Sequence, residues 1–158
     1  MSDEKQPLSS LPTLERDFAD IIMHRSNTDK QGIQSNIIAQ RATYKVNDGS
    51  LLYIVEYIDK HDKSKVDHFF YDWYRQDGTV RMKFHSETHG EDKRYQTSTE
   101  PYHIHKDTED ILSNIDRYPN YNLRDLRSVL EFIRWHLYIC EAEDHLRTND
   151  KKYKKKKK

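Results

Sequence analysis

The sequence predicts an α+β fold: one domain in which an antiparallel sheet of about four to five strands carries an N-terminal helix and two C-terminal helices on one face. Three observations point to it. Two-residue alternation of apolar and polar side chains, broken by acidic-glycine turns, is confined to the middle of the chain. Three- and four-residue apolar spacing flanks that stretch on both sides. The 158 residues, 34% hydrophobic and 34% charged, suffice for one modest core, and 11 Tyr, 5 Phe and 2 Trp add large buried areas to it.

Met1 to Leu11, polar and carrying Pro7 and paired serines, reads as a flexible lead to a domain spanning residues 12–147. Thr13 is placed to cap a helix bearing Leu14, Phe18, Ile21 and Ile22. Alternation then runs from Ile37 to Val46, and Asn47-Asp48-Gly49 supplies residues tolerant of positive φ for a hairpin turn. Leu51 to Asp59, apolar and β-prone apart from Glu56, reads as a central strand, followed by an exposed charged loop, Lys60 to Lys65. The aromatic strand Val66 to Arg75 turns at Asp77-Gly78 into Val80, Met82 and Phe84 at strict alternation. Glu87 to Thr99 is polar and forms a long loop before the short segment Tyr102 to His105. Thr108 then caps a helix with Ile111, Leu112 and Ile115, and Asn122 a longer one with Leu123, Leu126, Leu130, Ile133 and Leu137 on one face. Residues 148–158 read as a lysine-rich disordered tail.

Composition narrows the function classes. A lone Cys140 leaves no internal disulfide, no charged-then-apolar leader opens the chain, and no apolar run reaches the roughly 18 residues of a membrane span, so a soluble cytoplasmic protein with no membrane partner is expected. The formal net charge of zero hides an asymmetry: Lys151 to Lys158 hold seven lysines, without which 20 basic residues face 27 acidic ones. Any nucleic-acid site in the body must then be local. No GxxxxGK[ST], GxGxxG or GxSxG occurs, which removes the nucleotide-triphosphate, dinucleotide and nucleophile-elbow readings.

The chemistry-bearing residues concentrate between Arg81 and His105. Burying Val80, Met82 and Phe84 on a strand sends Arg81, Lys83 and His85 to the opposite face, and His103 and His105 lie on one side of their own strand, ~7 Å apart at the usual rise. A cationic row beside imidazoles suits phosphodiester cleavage: one histidine accepts a hydroxyl proton, another protonates the leaving oxygen, and Arg or Lys stabilises the phosphorane, with no cofactor required. His103-x-His105 also suits a metal ion, with His85, His89 or Glu87 completing the set. The same alternation is how any one-sided sheet dresses its solvated face. Glu56, a carboxylate in an apolar strand, needs a partner, either the cationic row or a catalytic role.

The ordered run from DGSLLYIVEY (Asp48 to Tyr57) through FYDWYRQDG and VRMKFHSETH to PYHIH (Pro101 to His105) resembles the TumE toxins of prokaryotic toxin-antitoxin systems. The matching pieces are Asp48-Gly49, Glu56-Tyr57, Tyr71 and Trp73 with Gln76-Asp77, Lys83-Phe84, His89, and Pro101 with His103 and His105. The resemblance spans Tyr44 to His105 and departs at His85-Ser86, where such toxins usually carry Asp-Asn. It implies a growth-inhibiting toxin acting on RNA or translation, with a small DNA-binding antitoxin as cognate partner. Self-association into a homodimer stays open.

Three readings follow. The first is a metal-independent ribonuclease toxin with His103, His105, His89 and Glu56 as catalytic residues, Arg81 and Lys83 on phosphate, and Tyr71, Trp73 and Phe84 as aromatic contacts. The second is a non-catalytic protein or nucleic-acid interaction module. The third is a metal-dependent hydrolase built on the His103/His105 pair.

Overall fold

The computed structural model describes residues 4–88, 93–106 and 117–155. After a short helix α1 (Leu11–Asp17) come seven strands, β1 (Ile22–Ser26), β2 (Ala39–Val46), β3 (Leu51–Ile58), β4 (Val66–Tyr74), β5 (Val80–His85), β6 (His103–Lys106) and β7 (Arg117–Pro119), and then a long helix α2 (Leu126–Lys155). The strands form one antiparallel meander in chain order. This corrects the expected architecture in two respects. The sheet has seven strands rather than four to five, and among the described residues one C-terminal helix is present rather than two. The segment Thr108 to Ile115, read as the first of that pair, lies outside the described residues.

The extra strand at the N-terminal edge lies where the apolar spacing predicts a longer helix. Leu11, Leu14, Phe18 and Ile21 are all core residues, so their spacing is informative, but the helix closes at Phe18. A turn held by Ile21 N–H and Ile22 N–H donating to Phe18 O then hands the β-branched Ile22 to β1. The expected hairpin turns are present, with Gly49 at φ 83° and Gly78 at φ 84°. Helix α2 starts later than the expected Asn122: the Asp125 carboxylate accepts Ser128 N–H at 2.7 Å, while Asn120 ties the preceding turn by accepting Leu123 N–H at 2.8 Å. The helix backbone continues through Lys155, into the stretch read as tail.

Both helices pack on the sheet face that carries Tyr44, Leu52, Ile54, Phe69, Tyr71, Trp73 and Phe84, meeting it with Leu11, Leu14, Leu126, Val129, Leu130, Ile133 and Leu137. Phe132 of α2 sets its ring edge against Trp73 and Phe84, at 6.4 and 6.1 Å between centroids. Asp17 and Asp20 hold α2 from the other side, through Arg127, Arg134 and Tyr138.

Residues 4–10, read as a flexible lead, run along the sheet. Val66 N–H donates to Gln6 O, Leu8 N–H to Ser64 O, and Lys5 bridges Asp59 and Asp67. Ser9 reaches Glu56, which is fully buried on the helix face. The Glu56 carboxylate accepts from Tyr71 Oη at 2.6 Å, Ser9 N at 3.0 Å and Gln40 Nε2 at 3.1 Å, as well as from Ser9 Oγ. Hydrogen bonds thus meet the cost of burial, and among the described residues no cation pairs with it. Tyr71→Phe leaves this carboxylate short of a donor and should destabilise the fold by about 1–3 kcal/mol. The measurement is urea unfolding, with a lower midpoint at unchanged m-value; an unmoved midpoint would show that the Tyr71 bond adds nothing.

Candidate active site

Antiparallel pairing places residues opposite one another on the same face. In the register of β3 to β7, Val55, Phe70, His85, His103 and Pro119 form one row, and Tyr53, Asp72, Lys83, His105 and Arg117 the next. Both rows lie on the face turned away from the helices, because their neighbours Ile54, Tyr71, Phe84 and Ile104 line the core side.

Three histidines converge there. Ring centroids are 5.0 Å apart for His85 and His105, 5.0 Å for His103 and His105, and 5.7 Å for His85 and His103. All three are buried, His103 completely. Asp72 Oδ1 meets His85 Nε2 at 2.7 Å, and Lys83 Nζ lies 3.9 Å from the same carboxylate. His103 Nδ1 lies 3.1 Å from Pro101 O. A carbonyl only accepts, so this nitrogen carries a proton.

Burial shifts the charges of this group. It pushes the His105 imidazole down to about 4, with His85, Arg117 and Lys83 acting in the same direction and Asp72 against it. His105 is therefore neutral near pH 7, able to accept a proton or ligate a cation. Burial would raise the Asp72 carboxyl, but the hydrogen bond from His85 and the charges of His85 and Lys83 hold it below the usual range.

The residues read from sequence divide between the two faces. His103, His105 and Lys83 are brought together. His89 lies outside the described residues. Glu56, Tyr71, Trp73 and Phe84 sit in the core on the helix side and cannot serve as catalytic or aromatic contacts of the histidine face. Arg81 also leaves the row. A bulge pairs Trp73 with Met82 but Tyr74 with Val80, so Arg81 is the extra residue and falls on the helix side, its guanidinium 4.5 Å from the Trp73 ring and 3.3 Å from Asp48.

Sequence reasoning left His85 out of the catalytic set, included Phe70 only within a partner-binding strand Phe69 to Tyr74, gave Asp72 no role of its own and missed Arg117. Asp72 and Phe70 share a parity with His68 along β4, and that signal places them beside His85 once the β4–β5 register is known. From His85 an aromatic row extends across the same face: Phe70 at 4.8 Å from His85, then Tyr57, with His68 stacked on Tyr57 at 4.3 Å. Phe70, Tyr57, His68 and Tyr53 are all half-buried.

No protein-family model, no curated protein and no solved structure matches the chain.

The folded His105 stays neutral down to about 4, whereas an unfolded histidine charges near 6.5. Proton uptake by the unfolded chain thus lowers stability as pH falls through this window, and the contribution is absent above it. In chelator-treated protein, NMR titration should follow one imidazole to a midpoint near 4 that disappears in His105→Gln. A His105 midpoint at the ordinary value would contradict its burial.

Proposed function

We propose that the histidine face is the active site of an RNA-cleaving toxin. The observation that carries this reading is the meeting, on the sheet face turned away from α1 and α2, of three buried imidazoles with flanking cations and a half-buried aromatic row. Lys83 and Arg117, on the strands that pair with β6, supply the positive charge that a cleaving phosphodiester needs. The histidines supply proton transfer or activate the attacking oxygen. Flat rings at Phe70, Tyr57 and His68 suit stacked bases, which bind without demanding a particular sequence.

Compared with the sequence reading, Asp72 replaces Glu56 as the carboxylate that orients a histidine, and Arg117 replaces Arg81. The resemblance to TumE toxins supports the biological setting: growth arrest, relieved by a small DNA-binding antitoxin. The helix-side residues then serve the scaffold alone.

Purified protein should cut single-stranded RNA. Lys83→Ala and His105→Asn should lower the rate about 10²–10⁴-fold with far-UV circular dichroism unchanged. Induced expression of the wild type should arrest growth, and the same variants should relieve it. Intact RNA alongside growth arrest would overturn the ribonuclease reading.

A further inference from the structure

We propose that His85, His103 and His105 bind a divalent transition-metal ion, with zinc the best match. The site is the one assigned above to catalysis, so the chemical use of the ion rests on that reading, whereas its binding is measured without it.

The geometry comes first. One ligand nitrogen from each histidine lies within 4.8 Å of the other two. Imidazole nitrogens around a tetrahedral zinc, at bonds of 2.0–2.1 Å, stand about 3.3 Å apart. Small side-chain rotations close that gap, since all three residues sit on neighbouring strands β5 and β6 with His85 directly opposite His103.

The outer partners are those a metal site needs. Ligating histidines usually give their second ring N–H to a carboxylate or a backbone carbonyl, which fixes the tautomer and aims the free lone pair at the ion. Here His85 Nε2 is held by Asp72 and His103 Nδ1 by Pro101 O. The remaining nitrogen of His85, Nδ1, is buried and has no hydrogen-bond partner. Buried polar atoms without partners are rare, and an ion in the cluster gives this one its bond.

The donor set selects the metal. Three imidazoles without thiolate suit zinc, copper, nickel or cobalt, and disfavour magnesium and calcium, which take oxygen. The single thiol, Cys140, lies on α2 beside His136, on the other side of the sheet. Three protein ligands are also the number found in catalytic zinc sites, whose fourth place takes water or substrate. Such an ion lowers the pKa of water to about 7 and polarises a phosphoryl oxygen.

The test is binding to tag-free, chelator-treated full-length protein, using Zn²⁺ in calorimetry and Co²⁺ in visible absorption. The wild type should take up one equivalent of either ion, with cobalt bands of tetrahedral intensity. Asp72→Asn should weaken Zn²⁺ binding about 10–100-fold. His105→Ala, checked for folding by circular dichroism, should abolish the one-equivalent site, while His24→Ala and His61→Ala, at exposed positions, leave it unchanged. Failure of the wild type to bind, or equal binding by His105→Ala, overturns the proposal. RNA cleavage in excess chelator would overturn the ion's use in catalysis and keep the ribonuclease; metal binding without cleavage would keep the ion and overturn the ribonuclease.

Discussion

The register joining β4, β5 and β6 is the constraint on which the site depends. Side chains alternate across a strand, so a slip of one residue in β5 would carry His85 and Lys83 to the helix side and drive Phe84 into solvent. Full burial of a large apolar side chain contributes about 1.5–3 kcal/mol. Phe84, Tyr71 and Trp73 are all fully buried under α2, so the core on one face sets the positions of polar groups on the other. The histidines need no attraction for one another to be adjacent. They are neighbours because Ile54, Tyr71, Phe84 and Ile104 are.

That arrangement carries an electrostatic cost, which the strand partners offset. Three imidazoles are withdrawn from water beside Lys83 and Arg117, and the carboxylate of Asp72 and the Pro101 carbonyl answer two of them. The bulge in β5 keeps a further cation away: Arg81 turns to the helix side and pairs with Asp48 over the Trp73 ring. Glu56, buried on that same side, is satisfied by neutral donors and anchors residues 4–10 through Ser9. The Glu56 and Asp72 carboxylates thus lie on opposite faces of the sheet.

Much of this was readable from local pattern. The turns at Gly49 and Gly78, strands β3 and β4, and the core positions Leu126, Leu130, Ile133 and Leu137 follow from residue type and spacing. Local pattern could not show that Phe18 ends a helix rather than continuing it, because a turn buries Phe18 and Ile21 as well as a helix does. Strand β7 is three residues, Arg117–Pro119, too short to alternate visibly. The site was half legible. His103, His105 and Lys83 follow from parity alone, but Arg81 depends on a bulge, and the grouping of Glu56, Tyr71 and Trp73 with the histidines ignored that they share a parity with each other and not with Phe70 and Asp72. A bulge and a register are long-range properties, set by what packs on the far face.

The proposed three-histidine metal centre follows from this packing. Anomalous diffraction from crystals grown with zinc, recorded on both sides of the zinc absorption edge, tests it most directly. One strong peak bonded to His85, His103 and His105, with Asp72 on the far nitrogen of His85, is the expected result. Zinc found only at exposed side chains, with the three imidazoles in contact with no ion, would contradict it.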